Sequence, residues 1–114
     1  MVVRLARDVM GWKEVYDPTL SGTGMYIVDC AGLVLAAWQR GGFWDWNPLL
    51  CDSHAMMVLD KLFSDGCYWT LSCDSEGVHC RIVSPSGFVI DGTDVTGDRK
   101  RCICLTALQT VGRQ

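Results

Sequence analysis

The sequence predicts an α+β domain with a mainly antiparallel sheet of about five strands and three helices. Three observations carry that prediction. Ala55, Val58, Leu59, Leu62 and Phe63 recur at i, i+3, i+4, i+7 and i+8, the apolar stripe of an amphipathic helix. Residues 67–90 hold three strand-like segments, the first two alternating, separated by turn signals, the pattern of a meander. Strand-like and helix-like segments do not alternate along the chain, so crossover-linked parallel strands are not expected. At 114 residues one domain, 1–114, is the expectation, with enough chain to bury a core without disulfides or metals.

In chain order, residues 2–10 form a short helix with Val2, Leu5, Ala6 and Val9 on one face, and Gly11 ends it. From Trp12 to Gly24 no regular structure is expected. Met25–Asp29 and Leu33–Ala37 are strand-like and flank Asp29-Cys30-Ala31-Gly32, a hairpin connection. Residues 39–51 make a Trp-rich loop. The central helix runs from about 52 to 65, capped by Asp52 or Ser53, with Pro48 outside it and Gly66 as its left-handed stop.

In the meander, Cys67, Trp69, Leu71 and Cys73 share one face. Val78, Cys80 and Ile82 point inward while His79 and Arg81 point outward, and Phe88-Val89-Ile90 is the third strand. A closing helix spans about 98–111. Its stripe is Cys104, Leu105, Leu108 and Val111, widened by Ile103 and Ala107, and Asp98 or Thr96 caps it.

Composition narrows the function classes. Apolar residues are 49% and charged residues 20%, a folding balance, so wholesale disorder is not expected. A net charge of −3 argues against a dedicated DNA-binding protein, though local basic patches are compatible with it. No apolar run reaches the roughly 18 residues of a membrane span. Met1–Asp8 has no signal-peptide core, so a cytosolic protein with reduced thiols is expected. The cysteines at 30, 67, 80, 102 and 104 sit in apolar segments and read as small core residues.

The usual catalytic signatures are absent: no phosphate-binding P-loop, no nucleophile elbow, no His-Glu-x-x-His. His54 and His79 would have to meet in space for a two-histidine phosphodiesterase. For metal, Cys51-x-x-His54 and Cys73 with His79 would have to be forced into a tetrahedral set, and no Cys-x-x-Cys pair exists. Cys102 and Cys104, two apart on a helix, point about 200° apart. No metal and no cofactor are expected.

A ligand site is better supported. Trp38, Trp44 and Trp46 offer stacking faces beside the start of the central helix, where Ser53 and His54 lie. Arg99-Lys100-Arg101 opens the closing helix, where cations oppose the helix dipole, so a use beyond helix stability is indicated. With Arg40 these residues compose a pocket for an anionic, nucleotide-like molecule. The competing assignment has the tryptophans as core pegs and the basic triplet as a solvated face offset by Asp94 and Asp98.

These pieces resemble small tailed-phage proteins with an ABA-sandwich domain. The resemblance rests on Leu5-Ala6-Arg7-Asp8-Val9-Met10-Gly11-Trp12, on Trp46-Asn47-Pro48 leading through Asp52 and Ala55 to Leu59-Asp60-Lys61-Leu62, on Tyr68-Trp69-Thr70-Leu71, and on Cys102 through Gln109. It implies a sheet sandwiched by the three helices and a phage origin, but no activity. Relatives carry a small Pro- or Ala-bearing segment where this chain has Arg99-Lys100-Arg101. The resulting expectation is a non-enzymatic phage accessory protein that binds an anionic small molecule. By analogy with phage sponges of other folds, it would sequester a host immune signalling nucleotide. The alternatives are a protein-interaction module acting on a host protein and, behind it, a phosphodiesterase. Five tryptophans in so short a chain also suggest a homo-oligomer.

Overall fold

A computed structural model describes residues 2–16, 25–28, 34–39, 43–44 and 46–111, with the side chains of 14, 16, 25, 26, 28, 34–39, 43 and 44 outside that description. The chain starts with α1 (Val2–Arg4), which runs on into a π-helical turn, Leu5–Val9. The Met10 N–H donates to the Leu5 carbonyl at 2.9 Å, and the Trp12 N–H reaches back to Ala6 at 2.8 Å. Gly11, at φ +76°, makes that wrap possible because a glycine enters the left-handed region at little cost. Val2, Leu5, Ala6 and Val9 are buried, as their spacing predicts.

Strands β1 (Lys13–Tyr16), β2 (Met25–Val28), β3 (Val34–Gln39) and β4 (Phe43–Trp44) form one antiparallel sheet in that order. β1 lies where no regular structure is predicted: Lys13–Tyr16 pairs in register with Val28–Met25. The connection at Asp29–Gly32 lies outside the described residues. α2 (Asp52–Ser64) follows, then β5 (Tyr68–Asp74), β6 (Gly77–Val83) and β7 (Val89–Asp94) in a three-stranded meander, and α3 (Arg99–Gln109). The class is α+β with antiparallel strands and three helices, as predicted. The single five-stranded sheet is corrected to a four-stranded and a three-stranded sheet. Two added strands, β1 and β4, extend the first group, and α2 with its approach loop separates it from the second.

α3 packs on β6 and β7, and α2 packs on α3 and β5. The N-terminal helix packs on both α3 and α2. Helices therefore gather on one face of the meander rather than sandwiching it. The core is where they meet: Leu5, Val58, Leu59, Leu62, Cys80, Ile82, Ile103 and Ala107 are fully buried. The opposite face, with Tyr68, Thr70, Ser72, Arg81, Val89, Asp91 and Thr93, is exposed.

α2 ends in a paired motif that caps its last carbonyls. The Cys67 N–H donates to Leu62 at 2.9 Å and the Gly66 N–H to Phe63 at 3.0 Å, with Gly66 at φ +96°. Its N-terminus differs from expectation. Cys51 is the N-cap and makes no side-chain capping bond, so Asp52 and Ser53 lie inside the helix.

α3 is capped as predicted, the Asp98 carboxylate accepting the Arg101 N–H at 3.1 Å. Its buried face is turned from the predicted stripe. Cys102, Ile103, Cys104, Thr106, Ala107 and Thr110 are buried, while Leu105 and Val111 face water. Thr106 and Thr110 tolerate burial because their hydroxyls donate within the helix, to Cys102 at 2.7 Å and to Ala107 at 2.6 Å. Gly92 of β7 makes room for this face, since a Cβ there would lie 1.9 Å from Thr106 Oγ1. On β5, Trp69 and Leu71 turn inward as predicted, but Cys73 is exposed.

Candidate functional site

The two helix starts singled out in the sequence stand side by side. Arg99 Nη2 lies 3.3 Å and Lys100 Nζ 3.8 Å from the same oxygen, Asp52 Oδ1, in the first turn of α2. A groove of about 570 Å³ opens beside them, lined by Asp52, Leu71, Cys73, Gly97, Arg99 and Lys100 among others. Sequence dictates this placement. Asp98 caps α3 and so fixes Arg99 and Lys100 in its first turn, while Gly97 at φ +79° supplies the sharp turn before the cap. Packing of α2 against α3 then carries Asp52 to them.

The triplet does not act as one unit. Arg101 Nε lies 3.9 Å from Asp94 Oδ2. Asp94 is nearly fully buried at the end of β7 and also accepts from the Thr96 hydroxyl and, at 2.9 Å, from the Thr96 N–H. The Thr96 hydroxyl foremost, with the Arg101 charge assisting, holds the Asp94 carboxyl below the usual carboxylate range. Arg101 thus stands beside a buried carboxylate, with its own side chain more than half exposed, and Asp94 offsets its charge.

Trp46 is not available for stacking on a ligand, which corrects that expectation. Its side chain is 4% exposed and meets Trp12 edge-on, ring centroids 4.8 Å apart at 68°. Such a contact is worth about 0.5–1.5 kcal/mol beyond the area buried. The loop behind it is a knot of local bonds. The Asn47 N–H donates to His54 Nδ1 at 2.9 Å, Asn47 Oδ1 accepts the Leu49 N–H at 3.0 Å, and Pro48 is buried. His54, stacked on Trp46 with centroids 6.1 Å apart, is therefore a loop fastener whose Nδ1 is the acceptor. Ser53 is exposed, its Oγ 3.1 Å from Cys51 Sγ.

Trp38 and Trp44 are direct partners in the β3–β4 ladder, which places two tryptophans at one register position. Their side chains, and Arg40 altogether, lie outside the described residues. Of the nine residues predicted for a ligand site, the structure brings Arg99 and Lys100 to one groove, ties Trp46 and His54 into the scaffold and sets Arg101 beside Asp94.

Two groups at this level escaped sequence reasoning. The sequence marks Asp52 only as a cap, because nothing in sequence spacing places it against residues 99–100. Asp74, Glu76 and His79 form a cluster on the exposed face of the meander; Asp-x-Glu-x-x-His matches no paired-ligand unit, and only the hairpin turn draws it together. His54 and His79 do not form a pair: one is tied to Asn47 and Trp46, the other to Asp74 and Thr93. No helix among the described residues is long and apolar enough to cross a membrane. Comparison with family models, with curated proteins and with solved structures finds no match.

Proposed function

We propose that the protein is a non-enzymatic binder of a small phosphate-bearing anion, held at the groove where α2 and α3 begin. The observation that carries this reading is the convergence of Arg99 and Lys100 on the single oxygen Asp52 Oδ1. A carboxylate oxygen held by two cations marks where a phosphate oxygen would sit. An incoming dianion would displace a monoanionic side chain that is itself half-exposed. Leu71 and Val78 give the groove apolar wall for the body of the ligand, and Ser72 and Thr96 give hydroxyls. The resemblance to phage ABA-sandwich proteins supplies the biological setting of this proposal, sequestration of a host signalling nucleotide during infection.

The reading makes opposite predictions for two neighbouring substitutions. Arg99→Ala should weaken binding of a nucleoside diphosphate by about 1.5–3 kcal/mol, the worth of a charge-assisted contact. Asp52→Asn should tighten it, because the internal competitor is gone. Arg101→Ala should leave affinity unchanged. Thermal melting against a panel of nucleotides finds the ligand, since a hundredfold excess over Kd adds about 2.7 kcal/mol. Titration calorimetry then compares the variants. Equal affinity in Arg99→Ala and wild type would refute the site.

A second reading, a protein-interaction module, is favoured by one feature. Phe63, Tyr68, Phe88 and Val89 are all more than half exposed. Tyr68, Val83 and Val89 lie in one cross-strand row, and Phe63 meets Tyr68 edge-on. An exposed row of aromatic and apolar side chains at one end of the meander is the kind of surface that anchors a protein contact.

A further inference from the structure

The face of the meander that carries no helix holds a set of ligating side chains around its first turn. Asp74 ends β5, Glu76 sits in the turn and His79 stands on β6; one donor atom from each lies within 4.8 Å of the others. His79 Nε2 is 2.9 Å from Asp74 Oδ1, and His79 Nδ1 is 3.0 Å from Thr93 Oγ1 on β7. The imidazole separates this set from the acidic clusters common on protein surfaces. One ring nitrogen with two carboxylates suits zinc and its first-row neighbours, whereas calcium and magnesium favour oxygen alone.

Three further observations bear on it. The Thr93 hydroxyl accepts a hydrogen bond as readily as it donates one. Without metal, the 2.9 Å contact has Nε2–H donating to the Asp74 carboxylate; a metal ion takes the place of that proton, and the ring then donates Nδ1–H to Thr93, the tautomer of a ligated imidazole. The turn is also held in place. Gly77, at φ +129°, lies against the end of β7 so closely that a Cβ would come 2.2 Å from the Asp94 carbonyl oxygen. The third is the open side. Beside His79 lies a hollow of about 410 Å³, lined also by Thr70, Ser72, Arg81 and Asp91, so the imidazole is open to water.

We propose that Asp74, Glu76 and His79 bind one divalent first-row transition-metal ion, zinc best, through Nε2 and two carboxylate oxygens, with water completing the coordination at this exposed turn. Binding draws the three donor atoms from their present spacing to roughly 3 Å apart, as ligands about 2 Å from one ion must be. Glu76 is exposed and can make that movement. The thiols are not part of the site. Cys80 is buried with its thiol pushed up to about 11, and Cys73 alternates with Asp74 along β5, which sends neighbouring side chains to opposite faces. The site is independent of the groove at Asp52 and Arg99, so either can fail alone.

The test is competition for Zn²⁺ between the full chain, kept reduced, and a chromogenic chelator. Wild type should take up one equivalent. His79→Gln and Glu76→Gln should each lower affinity tenfold or more, with circular dichroism showing the fold retained. Cys51→Ser, Cys73→Ser and His54→Gln should bind as wild type does. No uptake by wild type, uptake undiminished in His79→Gln, or loss confined to a cysteine variant would each overturn the proposal. If His79→Gln does not fold, the ¹⁵N resonances of the wild-type imidazoles decide. Zn²⁺ should move His79 Nε2 and leave His54 in place, and an unmoved His79 overturns the site.

Discussion

Single residues in this protein divide by what surrounds them more than by what they are, and the cysteines show it. Cys80 and Cys104 are buried, and desolvation of the thiolate pushes their thiols up to about 11 and about 12. Burial also raises Cys67 and Cys102. Cys51 is the opposite case. It is half-buried at the start of α2, and the Ser53 hydroxyl beside its sulfur draws its thiol below the usual range. Iodoacetamide at neutral pH should therefore label Cys51 well before Cys80 or Cys104, read by peptide mass spectrometry over a time course. Labelling of Cys104 at the same rate would mean that the core opens freely. The burial of Cys67, Cys80, Cys102 and Cys104 was legible in the sequence because each lies in an apolar segment. Cys51 was not, because its environment is made by a helix start and a hydroxyl, neither of which composition records.

At the scale of elements, helix existence was readable and helix rotation was not. The stripe of α2 is buried at Ala55, Val58, Leu59 and Leu62, as its period requires, with only Phe63 outside. For α3 the apolar count pointed to Leu105 and Val111, yet two threonines took their places inside. The deciding term is fit: Gly92 leaves space that Thr106 fills, and the threonine hydroxyls find acceptors in their own helix. A sequence reading that ranks side chains by polarity misses a polar group that carries its own partner. Gly92→Ala should accordingly destabilise the fold by about 1–3 kcal/mol through overpacking. Adding Thr106→Ala should recover part of that loss, since the first clash is with Oγ1. Urea unfolding of the four proteins in the cycle measures the coupling. Simple additivity of the two changes would mean the residues do not touch.

Across the whole molecule, the consequential arrangement is that the helices share one side of the meander. The class and the three helices followed from periodicity. The number and grouping of strands did not, because β1 and β4 are short and lack the alternation that marks a strand. The candidate groove was legible in part. Arg99 and Lys100 stood out as cations at a helix start, whereas their partner Asp52 lies 47 positions earlier and only packing reveals it. The open side leaves Tyr68 and Val89 in water, at 69% and 52% exposure. If that row is the anchor of a homo-oligomer, Tyr68→Asp with Val89→Asp should shift the molar mass in light scattering to one chain without lowering the melting temperature. A wild type that is monomeric at every concentration would exclude it.

The position of α3 in chain order has its own implication for how the protein is made. This helix contacts α2, the N-terminal helix, β6 and β7, yet all of them leave the ribosome before it does. Until residues 99–109 emerge, the inner sides of β6 and β7 and of α2 have no lid, and Val58, Leu59, Cys80 and Ile82 face solvent or a chaperone. The meander is built from neighbouring strands and can form early, whereas the core waits for its last contributor. A nascent chain held on the ribosome with residues 1–98 outside the exit tunnel should thus hold paired strands but bind a hydrophobic dye, and emergence of the remaining residues should extinguish that signal in a single step.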